Sequence, residues 1–396
     1  MGRPRNCTMQ KNQNTTYYIK TYGCQMNKTD SERLATLYEQ RGFTPTESWK
    51  NCDLVILVTC AVRKRAEDRV RAFIHKISQY YDDQHQPRPK IILTGCMIHY
   101  GAEKLRQMEP AIDEVLSIDE VGFDIPAKRI ESQHAFIPIS TGCNSYCSYC
   151  IVPYARGREK SRPMAEILKE IRQLTQQGYS EITLLGQNVN SYGLEKVGIS
   201  LRKMLLHDKN FTRQDLPTNQ SQYLKPTGIP PFVKLLQKIS EFEQIKVIRF
   251  MSANPWDFHD ELIKEIGENK KLDRYVHLPV QSGSNSILKR MNRGYTREDY
   301  LEIVKKLRQV DPNIVLGTDL IVGFPGETDE EFEDTVDLAR QVKWQVGFIN
   351  KYSPRPGTAS AKLWPDDISD AVKHQRWHIL EDIINQPHLK HRPKVV

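Results

Sequence analysis

No run of about 18 apolar residues, the length a membrane-spanning helix needs, occurs in this chain. The opening stretch MGRPRNCTMQKNQNTTYY has no apolar core of the kind a secretory signal carries. From these two absences the expected location is the cytoplasm. Tandem repeats are missing too. Cysteine is scarce, eight in 396 residues, and a reducing compartment makes those eight poor disulfide candidates, so any that cluster read as metal ligands or catalytic groups. The most informative absence is local. TGCNSYCSYCIVPYARG (141–157) holds Cys143, Cys147 and Cys150, and no other Cys or His lies between 135 and 165, whereas iron–sulfur clusters and structural zinc sites normally take four protein ligands.

What is present is a globular composition, 39% hydrophobic and 27% charged, in a chain long enough for two or three units that each bury a core. The formal charge of +8 favours a polyanionic partner, although many proteins that touch no nucleic acid carry as much.

The pattern of the first segment alternates strand and helix. YYIKTYG (17–23), DLVILVT (53–59), KIILTG (90–95) and IDEVLSI (112–118) read as strands. DSERLATLYEQRG (30–42) reads as a helix with an acidic N-cap, closed by Gly42, and a second helix is expected from about Arg63 to Tyr80. This rhythm implies a parallel sheet flanked by helices, an α/β fold. Cys24, Cys60 and Cys96 each follow such a strand, in TYGCQMN, LVTCAVR and LTGCMIH, 36 residues from each to the next. The C-terminal edge of an open parallel sheet is where such folds collect ligands. The alternative is three buried thiols acting as small hydrophobes.

After a junction near 125–134, a second series has strands at 136–141, 181–186, 247–252, 275–280, 314–324 and 346–353, with amphipathic helices such as Pro163–Gln177 and Asp329–Val342. Six such units suit an incomplete βα barrel with its chemistry at the C-terminal strand ends. The C-x3-C-x2-C set follows the first of these strands and leaves one iron of a cluster open to a small molecule's amine and carboxylate. A zinc knuckle or unrelated thiols are the alternatives, and zinc would want the missing fourth ligand. The stretch 194–230 is polar and proline-punctuated, reads as a long surface loop, and shows no chemistry.

CNSYCSYC followed by IVPYARGREKSR resembles the cluster loop of the radical S-adenosylmethionine superfamily, in the form carried by methylthiotransferases. YGCQMNKTDSE, TCAVRKRAEDR and TGCM resemble the three signatures of their N-terminal domain. GCQMN, TCAVR and LLGQNVNSYG are closest to the MiaB branch. The resemblance implies an N-terminal α/β domain (16–128) after a tail (1–15), then a partial (βα)6 radical-SAM barrel (129–375) with an insertion at 194–230, and a C-terminal segment (376–396). It further implies two 4Fe-4S clusters. Cys143, Cys147 and Cys150 would hold the one whose open iron chelates S-adenosylmethionine, whose cleavage gives a 5′-deoxyadenosyl radical; Cys24, Cys60 and Cys96 would hold an auxiliary one that carries the inserted sulfur.

By the same resemblance, Gly186, Gln187 and Asn188 belong to the strand end that binds the methionyl amino group. Ser252 in RFMSANP, Gln281 and Ser282 in HLPVQSGS, and Asp319 in GTDLIVGFPGET line the cofactor and substrate pocket. Arg156, Arg158, Lys160 and Arg162, and again Lys289, Arg290 and Arg293, are candidates for phosphate contacts, with Tyr154 a candidate for stacking on a base. Two features depart from the family. Val58 stands where members usually have Asn, and the chain stops at HLKHRPKVV, about where members continue into a small RNA-gripping β-barrel, the TRAM domain, which is therefore expected to be absent or truncated. Cys7 and Cys52 match nothing in the family and are expected to be structural or incidental.

The implied activity converts N6-isopentenyladenosine beside the anticodon of tRNA into its 2-methylthio derivative. The implied partners are tRNA, a flavodoxin- or ferredoxin-like electron donor and a sulfur donor, with no membrane. A radical enzyme acting on threonylcarbamoyladenosine or a ribosomal-protein aspartate, and a non-catalytic iron–sulfur RNA-binding protein, are the alternatives.

Overall fold

The computed structural model describes residues 15–391 except 63, 118–121, 124, 130–132 and 198–227. Its chain divides into two compact units, 1–130 and 131–396.

In the first unit β1 (Thr16–Thr21), β2 (Thr44–Pro45), β3 (Leu54–Thr59), β4 (Lys90–Gly95) and β5 (Glu114–Val115) form a sheet of order β2-β1-β3-β4-β5, parallel at every pairing. The central strand, LVILVT, is buried at every position, as a strand covered on both faces must be. Tyr17, Leu34, Tyr38, Ile56 and Val58 pack the helix Gln25–Gln40 onto one face. That helix begins five residues before the expected position. Its N-cap is Cys24 in extended backbone, not Asp30, which lies buried inside the helix. The last strand is shorter than IDEVLSI because β4 pairs with it at Glu114 and Val115 alone.

Among the described residues the second unit holds six parallel strands, β6 (His134–Pro138), β9 (Glu181–Leu185), β10 (Val247–Phe250), β11 (Tyr275–His277), β12 (Val315–Val322) and β13 (Val346–Lys351). All six expected strands are present. They pair as β10-β9-β6 and β11-β12-β13, joined by a parallel bridge from Ile248 to Leu272 and a bond from Ala253 N–H to the His277 carbonyl (3.2 Å). A short antiparallel pair, β7 (Ser140–Thr141) with β8 (Lys160–Ser161), stands apart.

Strand residues alternate between two faces. Ile137, Ile182, Leu184, Ile248, Val276, Leu316 and Leu320 point outward and pack against Ile167, Ile171, Leu236, Leu262, Ile303 and Val336 of the surrounding helices. The other face is polar, and there Arg249 joins Glu181 and Asp273, both at 2.7 Å. Helices start on chemical signals. Thr296 and Thr328 each close a capping box, with Asp299 and Glu331.

Candidate active site

The loop 142–158 is closed at its base by the β7–β8 pair and a bond from Cys143 N–H to the Gly157 carbonyl (3.1 Å). Gly142 lets the two ends meet: at φ +72°, a Cβ there would stand 2.2 Å from the Arg158 carbonyl oxygen. Two elements clamp the loop, the end of β9 and the turn that closes the helix Asn285–Arg290. Asn188, just beyond β9, donates from Nδ2 to Cys143 Sγ (3.2 Å) and Ser145 Oγ (2.9 Å). Ser148 bonds from N–H to the Met291 carbonyl (3.0 Å) and from Oγ to the Arg290 carbonyl (2.8 Å). Asn292 Nδ2 donates to the Tyr146 carbonyl (3.0 Å) and so holds Tyr146 in left-handed backbone, φ +48°.

Cys143 and Cys147 are buried and Cys150 is half-buried. Burial, and then the adjacent Cys147, push the Cys143 thiol up to about 11, and burial with both neighbours raises Cys150 as well. Such thiols ionise when a metal replaces the proton. Among the described residues no three His, Cys, Asp or Glu side chains are grouped to hold a single metal ion. The donor set, three soft sulfur ligands on one loop, fits an iron–sulfur cluster.

Around this loop lie the other barrel-strand ends. Gly186 is buried and Gln187 half-buried. Ser252 and Gln281, which end successive strands, both hold left-handed backbone, φ +64° and +78°, a strain that persists where surrounding structure fixes it. Ser252 donates from its N–H to His277 Nδ1 (3.3 Å), and His277 Nε2 stands 3.0 Å from Asp319 Oδ2. Ser282 does not join them. Its hydroxyl is fully buried, 3.4 Å from Thr335 Oγ1 on the outer helix Asp329–Val342, so it serves the scaffold and not the pocket. Two clefts of about 390 and 400 Å³ are lined by residues of the helices Asp260–Glu268 and Arg297–Val310, with Gln341 of the helix Asp329–Val342. They contain none of these groups.

In the first unit, glycines bring strand ends together. A Cβ on Gly23 would stand 2.7 Å from Cys60 Cβ, and one on Gly95 would stand 2.4 Å from the Thr59 carbonyl oxygen. Cys24 and Cys96 therefore flank the turn that carries Cys60. Asn27 Nδ2 ties two of the turns, donating to the Tyr22 (2.6 Å) and Thr59 (2.9 Å) carbonyls. Thr59 Oγ1 ties the third, donating to the Thr94 carbonyl (2.6 Å) and accepting from Met97 N–H (3.1 Å). Cys60 and Cys96 are buried and Cys24 is exposed. Val58, the departure from the family, is packed in the apolar core.

Residues 137–339 match the radical SAM superfamily, and residues 16–117 match the uncharacterized protein family UPF0004. The chain is 41% identical to the tRNA-2-methylthio-N(6)-dimethylallyladenosine synthase of Caldicellulosiruptor saccharolyticus, over 95% of this chain and 79% of that one. It belongs to this synthase family. The synthase of Moorella thermoacetica is 40% identical over 93% of this chain and 82% of its own. Among solved structures, the radical S-adenosylmethionine methyltransferase TsrM of Kitasatospora setae aligns at a TM-score of 0.56 with 16% identity, over 88% of this chain and 77% of that one. That likeness shows the fold alone. In this synthase-family chain one cysteine triad falls within each matched segment.

Sequence reasoning misplaced several cations. Arg156, Arg162 and Arg293 are buried, and Arg162 is held by Glu170 (2.8 Å) and the Pro138 carbonyl (2.8 Å), so none of the three presents its charge to an outside phosphate. Arg290 is spent on Glu331 (2.6 Å) and the Pro325 carbonyl. Arg158, Lys160 and Lys289 are exposed. His277 was within a quoted motif yet passed over, and its only sequence signal was its place one strand before Asp319. Cys52 behaves as structural: its thiol donates to the Trp49 carbonyl (3.3 Å), and burial pushes it up to about 11. Cys7 lies outside the described residues.

Proposed function

We propose that this chain adds a methylthio group at C2 of an N6-dimethylallyl (isopentenyl) adenosine next to the anticodon of tRNA, using S-adenosylmethionine and two 4Fe-4S clusters. The observation that carries the reading is a triad of thiols in each unit, one at the C-terminal ends of three parallel strands and the other on the single loop that follows β6 and β7. Identity of 41% with a synthase named for that product supports the substrate. The chemistry requires such an apparatus. Adenine C2–H is neither acidic nor electrophilic, so acid–base catalysis has no handle on it. A cluster with S-adenosylmethionine supplies, when bound, a radical able to act there.

The chain's own residues hold and orient. Cys143, Cys147 and Cys150 take the cluster that meets S-adenosylmethionine; Cys24, Cys60 and Cys96 take the auxiliary one. Gly186, Gln187, Asn188, Ser252, Gln281 and Asp319 surround the first of these at the barrel mouth. Tyr146 and Tyr154 are exposed on the cluster loop with ring centroids 6.3 Å apart, which suits stacking on unpaired bases, and Arg158, Lys160 and Lys289 suit their phosphates. The reaction consumes electrons and sulfur, so a flavodoxin- or ferredoxin-like donor and a sulfur source act with the chain, in the cytoplasm. Among the described residues no helix is long and apolar enough to cross a membrane.

The test is anaerobic reconstitution with iron and sulfide, then incubation with reductant, S-adenosylmethionine and isopentenylated tRNA, reading nucleosides by mass spectrometry. Cys147→Ala is expected to abolish 5′-deoxyadenosine formation. Cys60→Ala is expected to keep that cleavage and lose the 2-methylthio product. Normal thiolation by both variants would reject the assignment, and a product found only on a ribosomal protein would transfer it to another substrate.

A further inference from the structure

Three buried cations of the second unit each meet a carboxylate: Arg162 with Glu170, Arg376 with Glu327, and Lys373 with Asp366. Arg293 does not. It is 9% exposed, and among the described residues no acid lies within ion-pair distance. Its Nη2 donates to the Pro279 carbonyl (2.9 Å) and its Nε to Tyr295 Oη (2.9 Å), and the guanidinium lies over the rings of Trp256 (4.6 Å) and Tyr295 (5.1 Å). The remaining nitrogen, Nη1, points at Cys147 Sγ, 3.4 Å away. Neutral oxygens and ring faces offset only part of the cost of burying a full charge. A guanidinium does not shed its proton at any working pH, so the balance has to come from an anion at Cys147.

The inward course of Arg293 is built by the end of the helix Asn285–Arg290. Asn292 takes left-handed backbone, φ +56°, and the N–H groups of Asn292 and Arg293 return to the carbonyls of Lys289 (3.0 Å) and Leu288 (2.9 Å). This is a Schellman termination, which directs the following residue back toward the core. The same Asn292 holds Tyr146 on the cluster loop, so one turn positions both the loop and the charge.

We propose that Arg293 is the fixed counter-charge of the cluster held by Cys143, Cys147 and Cys150, and that it sets the potential at which that cluster accepts its electron. The inference rests on the assignment of that triad in the proposed function. A cube on three thiolates is an anion that gains one further negative charge on reduction. A cation fixed beside it in a low-dielectric site, donating a hydrogen bond to a ligand sulfur, stabilises the reduced form more than the oxidised one and raises the potential. Arg293 touches a ligand and not the reacting atoms, so it is a positioning residue.

The experiment compares wild type, Arg293→Gln and Arg293→Lys as full chains reconstituted anaerobically. Each is titrated potentiometrically, following the electron paramagnetic resonance signal that changes when S-adenosylmethionine is added. At a fixed potential the reduced-to-oxidised ratio is expected to be at least tenfold lower in Arg293→Gln, equivalent to about 59 mV for one electron. Arg293→Lys, which keeps the charge but loses the planar fork, should fall between. An unchanged midpoint in a fully loaded Arg293→Gln overturns the proposal. Should that variant load no iron, circular dichroism and thermal unfolding of the apoprotein decide. A native apoprotein supports the counter-charge, and an unfolded one assigns Arg293 to packing and overturns it. A wild type that shows the cofactor-sensitive signal but makes no tRNA product fails the proposed function alone, whereas one that loads no iron on this triad overturns both.

Discussion

Gly142 shows how far the cluster loop depends on a missing side chain. Alanine there meets a carbonyl oxygen 2.2 Å away, on a backbone at φ +72° that L-residues adopt at a cost of about 1–2 kcal/mol before any clash. The oxygen lies two residues before Lys160, where the β7–β8 pairing begins, so it has little room to retreat. Gly142→Ala is therefore expected to lose iron at the Cys143, Cys147 and Cys150 triad and to lower the thermal midpoint, which iron analysis and calorimetry would check; full loading would show that the loop end yields. That the six cysteines fall into two sets could be read from the chain because thiol spacing is written directly in it. Arg293 was not, since a buried arginine and a surface one look alike in MNRGYTRE until the turn at Asn292 is known. Ser282 failed for a related reason: a hydroxyl at a strand end faces mouth or scaffold according to one backbone rotation, here the left-handed Gln281 before it.

At the scale of elements, alternation with period 2 and helical stripes with period 3.6 placed all six barrel strands and the helix Asp329–Val342, because burial on one face imposes those periods. The start of Gln25–Gln40 was misjudged since a cysteine is an uncommon N-cap and Asp30 a common one. Invisible in any local pattern was how the helix Asp370–Ile384 is fastened. Arg376 reaches Glu327 and Asp329, both at 2.7 Å, and Glu327 also accepts the Gly323 N–H (2.7 Å). Burial pushes the Glu327 carboxyl up despite the arginine and the N–H. Arg376→Met would strand that carboxylate and is expected to cost about 3 kcal/mol at neutral pH. Its pH dependence has a definite sign. With the folded value raised further above the unfolded one, the native state holds the extra proton, so the variant keeps most of its stability below the ordinary Glu range and loses it as pH rises through the folded value. Denaturant melts from pH 4 to 8 should show the gap between variant and wild type widening upward; a gap that narrows would disprove the strain on Glu327.

For the whole molecule, the division into two compact units, each with its own core and its own cysteine triad, carries a stoichiometric consequence. The three cysteines of each triad lie in one unit only, so in the proposed assignment neither cluster needs the other in order to assemble. Loading should then be additive. Fully reconstituted protein is expected to hold about eight irons per chain, and about four in either triple variant, Cys24→Ala/Cys60→Ala/Cys96→Ala or Cys143→Ala/Cys147→Ala/Cys150→Ala. Iron and sulfide analysis with Mössbauer spectra would separate this from two other outcomes. A single shared cluster would give about four irons in the wild type and almost none in each variant. A zinc site at the N-terminal triad would leave iron unchanged when those cysteines are removed and would place the metal in the zinc assay. The additive result is the one demanded by the proposed function, in which S-adenosylmethionine is cleaved at one centre and sulfur is held at another, since a single open iron has room for only one of them.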